Sequence, residues 1–153
     1  MSGEPNDLWP EKFEAAHVKS PEEVLAEQAE LLGHKTHGVV IADLEEASDF
    51  SETKFGRRFV LIAPELRGYR YVLFRAMYPV TMYPVEFYDT PIREYRKHPG
   101  TDTMGRLHAN TEEELREVLK EILGCKQTGE IIASLMAQCE AKQRLKKHLA
   151  SFP

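Results

Sequence analysis

The chain has 153 residues, of which 42% are hydrophobic and 29% charged, with two cysteines and a formal net charge of −5 at pH 7. This length suits one domain with a conventional core, and two isolated cysteines argue against a disulfide framework or a zinc site. The longest apolar run, 59–64, is too short to span a membrane, and the N-terminus does not resemble a signal peptide. We therefore expect a soluble, cytoplasmic protein with no membrane contact.

The first nineteen residues mix glycine, proline, asparagine and charged residues around a lone tryptophan, Trp9. This segment is too apolar for a free tail and too irregular for a core helix. The composition predicts an N-terminal arm over 1–19 that docks through Trp9, followed by a single domain over 20–153.

A helix start is the firmest local signal in the chain. Ser20 precedes a proline and two glutamates, a combination typical of an N-cap, a first helical position and a capping box. Apolar residues then recur at helical spacing. The pattern predicts a helix over 21–33, and Gly33 is expected to end it in a left-handed conformation.

The hydrophobic period then changes to two, which is typical of β-strands. Four runs rich in β-branched and aromatic residues follow one another with short connections, and such connections favour an antiparallel meander. The first predicted strand begins at 39. The other three cover 59–63, 69–77 and 81–88.

Two further helices are predicted after a polar segment at 89–110, which has no clear periodicity and is interpreted as a loop. Thr111 begins a second capping box, and the apolar stripes indicate helices at 112–123 and 129–147. Leu119 and Leu135 occupy the centres of these stripes and are expected to be buried. The predicted fold class is α+β, with an antiparallel sheet of about four strands covered on one face by three helices.

The most unusual feature is the sequence MYPV, which occurs at 77–80 and again at 82–85. Proline cannot donate a hydrogen bond to a sheet, so the first copy is expected to break the third strand. The tyrosines and arginines around the repeat are the side chains of a surface that binds anions or planar groups. We predict that Tyr78 and Tyr83 border a groove with Arg70 or Arg75 at its base, although the same residues could be core rings and solvated cations. The candidate ligand- or partner-binding residues are Arg70, Tyr71, Arg75, Tyr78 and Tyr83.

The function predicted from these residues is non-catalytic binding of a partner protein or an anionic small ligand, by a Tyr/Arg-rich sheet surface. The negative net charge argues against nucleic acid, and no metal, cofactor or catalytic residue is assigned. The alternative is a small hydrolase or metal-dependent nuclease that uses the 98–108 loop, with His98, Asp102 and His108 as acid and base. An exposed sheet edge also predicts a homodimer.

Overall fold

The fold comes from a computed structural model that describes residues 6–47, 52–92 and 107–150. Within these ranges, five antiparallel strands form one sheet in the order β1-β2-β3-β4-β5, and three α-helices cover one of its faces. The predicted α+β class is confirmed, with one short strand more than the four expected. The elements are α1 (Pro21–Lys35), β1 (Ile41–Glu46), β2 (Lys54–Ala63), β3 (Tyr69–Pro79), β4 (Val85–Tyr88), β5 (His108–Ala109), α2 (Glu112–Gly124) and α3 (Lys126–Ala150).

Helix α1 begins as predicted but ends later. The Ser20 hydroxyl accepts the backbone N–H of Glu23 at 3.2 Å, which satisfies one of the free amides at the helix start. Gly33 lies inside the helix, so its prediction as the stop is wrong. The left-handed residue is His37, at φ 54°, and the Gly38 N–H donates to the Gly33 carbonyl at 2.8 Å. This bond pattern is a Schellman motif, which closes the helix and accounts for His37 without a ligand.

The fifth strand lies in the segment that the sequence indicated as a loop. His108 pairs with Glu86 and Ala109 with Val85, and the Phe87 N–H donates to the Leu107 carbonyl at 3.0 Å. A strand of two residues is too short to show an alternating pattern, which is why the periodicity did not reveal it.

The duplicated MYPV segment spans the end of β3, the connection to β4 and the first residue of β4. Strand β3 ends at Pro79, and the Met82 N–H donates to the Pro79 carbonyl at 2.8 Å in a tight turn. The peptide between Tyr83 and Pro84 is cis, and β4 starts at the next residue. The predicted break of the third strand is confirmed, and the last predicted strand begins four residues later than expected, at Val85.

A β-bulge lies in the middle of β3. Phe59 of β2 pairs with Phe74, but the next residue, Val60, pairs with Val72. Leu73 is therefore an extra residue in β3, and the alternation of side chains between the two faces changes phase at this point.

The core lies between the sheet and the helices. Phe59 and Phe74 stack with ring centroids 5.0 Å apart, and Phe87 lies 5.6 Å from Phe74. Leu119 of α2 is 2% exposed and Leu135 of α3 is 5% exposed, which confirms their predicted burial. Helices α2 and α3 pack against the sheet through the apolar stripes identified in the sequence.

The N-terminal arm has no regular secondary structure over the residues described before α1. Trp9 is 75% exposed and its ring contacts Phe13 with centroids 5.8 Å apart, so the predicted docking through Trp9 is not seen. The arm joins the domain at its end, where the Lys19 N–H donates to the Glu112 carboxylate at 3.1 Å and the Tyr83 hydroxyl donates to the Lys19 carbonyl at 3.2 Å.

Helix α3 is the longest element and its last turns extend past the core. Its innermost side chains include Leu135 and Cys139, whereas Leu145 and Leu149 are 61% and 70% exposed. Across the three described ranges, no helix has both the length and the apolar character needed to cross a membrane.

Candidate functional site

The sheet has one face covered by helices and a second face, here called the open face, on which charged side chains are concentrated. Directly paired residues in neighbouring strands share a face, so the register assigns the side chains. The open face carries Glu45, Arg58, Arg70, Val72, Arg75, Met77, Glu86 and Tyr88.

One cross-strand row of the open face contains two arginines side by side. Glu45 of β1 pairs with Arg58 of β2, which pairs with Arg75 of β3, which pairs with Tyr88 of β4. Like charges directly opposite each other in a sheet are destabilising. Arg70 lies on the same face as Arg75, because the extra residue of the bulge lies between them and shifts the alternation by one. These three residues, Arg58, Arg70 and Arg75, are called the arginine strip.

Carboxylates flank the arginine strip and hold its side chains in place. Glu45 is shared, because it makes an ion pair with Arg70 and lies 4.0 Å from the Nε of Arg58. Asp89 accepts from the Nε of Arg75 at 2.7 Å. The Nε of Arg58 is buried and has no hydrogen-bond partner in the part of the chain that the structure describes. Arg58 and Arg70 therefore present two guanidinium groups to one carboxylate.

The five candidate residues do not line a single groove. Arg70 and Arg75 lie on the open face, whereas Tyr71 and Tyr78 point to the helix-covered face. Tyr71 is half-buried and Tyr78 is 4% exposed. Tyr83 lies at the β3–β4 connection, half-buried against the core. The structure places the two arginines on one face and the tyrosines elsewhere, so the role of all five in binding stays a prediction.

Tyr78 belongs to an aromatic and cationic cluster in which Tyr78 and Arg57 are buried and Phe55 is 46% exposed. The guanidinium of Arg57 lies 6.0 Å from the Tyr78 ring and 5.9 Å from the Phe55 ring. Arg57 is 9% exposed and makes an ion pair with Glu22 at 3.4 Å. Burial raises the pKa of the Tyr78 phenol, against a smaller lowering by the Arg57 charge. The cluster gives Tyr78 a packing role.

Arg58 is the residue of the arginine strip that the sequence did not single out. The doublet Arg57-Arg58 lies on β2, and alternation sends one arginine to each face. The signal was present, because a charged doublet within a strand must place a charge on both faces.

The alternative catalytic site falls largely outside the described residues. His98 and Asp102 are not among them, so the alternative stays a prediction. His108 lies in β5, paired with Glu86, and its Nδ1 is buried without a hydrogen-bond partner in the described ranges. Within those ranges, no group of three His, Cys, Asp or Glu side chains is placed to hold a metal ion.

Comparisons with protein-family models, with curated proteins and with solved structures find no match to this chain.

Proposed function

We propose that this chain is a non-catalytic binding protein whose open face accepts carboxylates or phosphates, presented by an acidic segment of a partner protein or by a small anion. The observation that supports this most directly is the pairing of Arg58 with Arg75, with Arg70 on the same face. Two cations placed opposite each other cost folding free energy, and an anion between them would remove that cost.

The chemistry of the arginine strip suits this ligand class. A guanidinium group presents a planar set of donors that matches a carboxylate or a phosphate in a bidentate arrangement. Val72, which is 42% exposed, and Met77 lie on the same face and offer apolar contact beside the charges. Such a mixture of arginine and apolar surface is typical of protein interfaces.

The strip favours binding over catalysis for a physical reason. General acid and base catalysis needs a group that gains or loses a proton near neutral pH, and arginine keeps its proton in proteins. Arginines held by neighbouring carboxylates can orient an anion but do not transfer protons to it.

The test uses a synthetic poly-glutamate peptide and, separately, inorganic phosphate, each titrated into the protein by calorimetry. The variant is Arg58→Gln with Arg75→Gln. The matched control is Arg67→Gln with Arg144→Gln, which removes the same charge from exposed positions away from the open face. We expect the double variant to lose about tenfold or more in affinity, since one charge-assisted hydrogen bond contributes about 1.5–3 kcal/mol.

The control decides what the result means. Equal losses in the variant and the control would show that any positive charge suffices, and would contradict the proposal. Binding of phosphate without binding of the peptide would identify a small anion as the ligand. No saturable binding of either probe would remove the open face as an anion site.

We also propose a homodimer, because two features offer a contact. Among the described residues, strand β1 is an edge of the sheet, and sheet edges can pair with other chains. Leu145 and Leu149 add an exposed apolar pair at the end of α3. Light scattering at roughly tens of micromolar protein, a concentration suited to contacts of ordinary strength, should give twice the monomer mass. The monomer mass would contradict the dimer.

A cytoplasmic location is the last part of the proposal. Cys125 and Cys139 are both free thiols, and burial raises the pKa of the Cys139 thiol, which keeps it protonated and inert. Free thiols persist in a reducing compartment. Microscopy of the tagged chain in its native host checks the location, and a signal outside the cytoplasm would contradict it.

A further inference from the structure

A pocket of about 530 Å³ lies on the helix side of the sheet, between α1, α2 and the start of α3. Its floor consists of Phe59, Leu61 and Leu73, which are 1–2% exposed. The volume falls within the roughly 300–1,000 Å³ of small-molecule sites. The pocket is separate from the open face, because the sheet lies between them.

The walls of the pocket are apolar and in contact with solvent. Leu31 and Leu32 come from α1, Leu123 from α2 and Ile132 from α3. Leu31 is 45% exposed and the other three are half-buried. Apolar side chains that stay partly in water around a deep floor favour an apolar ligand, since covering them gains free energy.

The rim of the pocket carries positive charge. Lys35 at the end of α1 and Lys120 of α2 are exposed and line the pocket, and neither makes an ion pair with a residue in the described ranges. Arg116 also lines it, but Glu112 at 3.3 Å and Glu27 at 3.5 Å already compensate its charge. The charge left to a ligand is that of the two lysines.

We propose that this pocket binds a free single-chain carboxylate of the fatty-acid class, with the alkyl chain between α1 and α2 and the carboxylate at Lys35 and Lys120. An alkyl chain matches the apolar walls, and a carboxylate matches two lysine ammonium groups. A second hollow, of about 630 Å³, lies between β3 and α3. The charged side chain that lines it is Glu130, an acid that would repel a carboxylate.

The test is a titration of the full chain with dodecanoate, followed by calorimetry and by the methyl resonances of Leu32, Leu123 and Ile132. We expect one bound molecule per chain. Affinity should rise about fourfold per methylene from octanoate to dodecanoate, as burial of each methylene predicts. Dodecanol and dodecyltrimethylammonium should bind about tenfold more weakly or worse, because they lack the negative charge.

Two variants locate the site. Lys35→Gln with Lys120→Gln removes two exposed charges and should weaken dodecanoate about tenfold or more. Ile132→Trp fills the wall and should abolish binding even if the lysines are intact. The matched control, Lys142→Gln with Lys147→Gln, removes the same charge about 15 Å or more along α3 from Ile132 and should leave the affinity unchanged.

Three results would overturn the proposal. The first is the absence of saturable dodecanoate binding, and the second is equal affinity for dodecanoate and dodecyltrimethylammonium. The third is binding that both Ile132→Trp and the lysine variant leave intact, which would place the ligand elsewhere. Arg58→Gln with Arg75→Gln should not change dodecanoate binding, so failure here is distinguishable from failure of the open-face proposal.

Discussion

The two faces of the sheet are made by alternating residues of the same strands, yet they differ in almost every physical property. On the covered face, Phe59, Phe74 and Phe87 pack ring against ring and exclude water. On the open face, Arg58 pairs with Arg75 across the same two strands, and this pair is directly adjacent to the Phe59–Phe74 pair.

The difference separates stability from recognition. Burial of an aromatic or aliphatic side chain contributes about 1.5–3 kcal/mol, whereas an exposed ion pair contributes about 0–1 kcal/mol. The covered face therefore contributes most of the folding free energy, and the exposed charges of the open face contribute little to it.

The sharpest test compares two neighbours in β2. Leu61 is 1% exposed on the covered face, and Ile62 is half-buried on the open face. Leu61→Ala should cost about 2–5 kcal/mol of unfolding free energy, because a buried cavity opens. Ile62→Ala removes a similar volume and should cost less than half as much. Urea denaturation of both variants measures the two losses, and equal losses would show that the open face is also part of the core.

A smaller effect is expected where the arm meets the covered side. Tyr83→Phe keeps the ring and removes the hydroxyl that donates to the Lys19 carbonyl. The unfolding free energy should fall by about 0.5–1.5 kcal/mol, the usual contribution of one hydrogen bond. Tyr69→Phe is the control, since Tyr69 is 49% exposed. A loss in the control as large as in Tyr83→Phe would contradict the contact between arm and domain.

The smallest effect comes from the phenol of Tyr78, and it changes the unfolding free energy only in alkaline solution. Burial raises the pKa of Tyr78 above its ordinary value of 10.0, so the folded state favours the neutral phenol. This contribution is fully present below pH 10 and is lost as the pH rises through the raised pKa. Unfolding free energies at about pH 9 and about pH 11 should show a loss that Tyr78→Phe reduces. An identical loss in Tyr78→Phe would assign it to other groups.

Most of the fold could be predicted because its signals are local. The capping residues Ser20 and Thr111 accept hydrogen bonds from the N–H groups three residues on, and the apolar stripes identified the buried faces of α2 and α3. The end of α1 could not be predicted from Gly33, since His37 takes the left-handed conformation instead. Strand β5 was missed because pairing with β4 creates it, and two residues carry no period of their own.

The candidate site was harder to predict because it depends on strand register. Arg70 and Arg75 were identified, but nothing local says that Arg58 lies opposite Arg75. Tyr78 was grouped with the arginines by its place in the sequence, and its burial follows from the alternation within β3. Register is a property of two strands together, so a pattern within one strand cannot supply it.

The bulge at Leu73 has a consequence for how this chain can vary during evolution. Arg70 and Arg75 are five residues apart, an odd spacing that would put them on opposite faces of a regular strand. The extra residue restores them to one face. Substitutions at Leu73 change packing alone, whereas a one-residue deletion there would turn one half of β3 over and bury an arginine or expose the aromatic core. Homologous chains should therefore conserve the length of this segment more strictly than its residues.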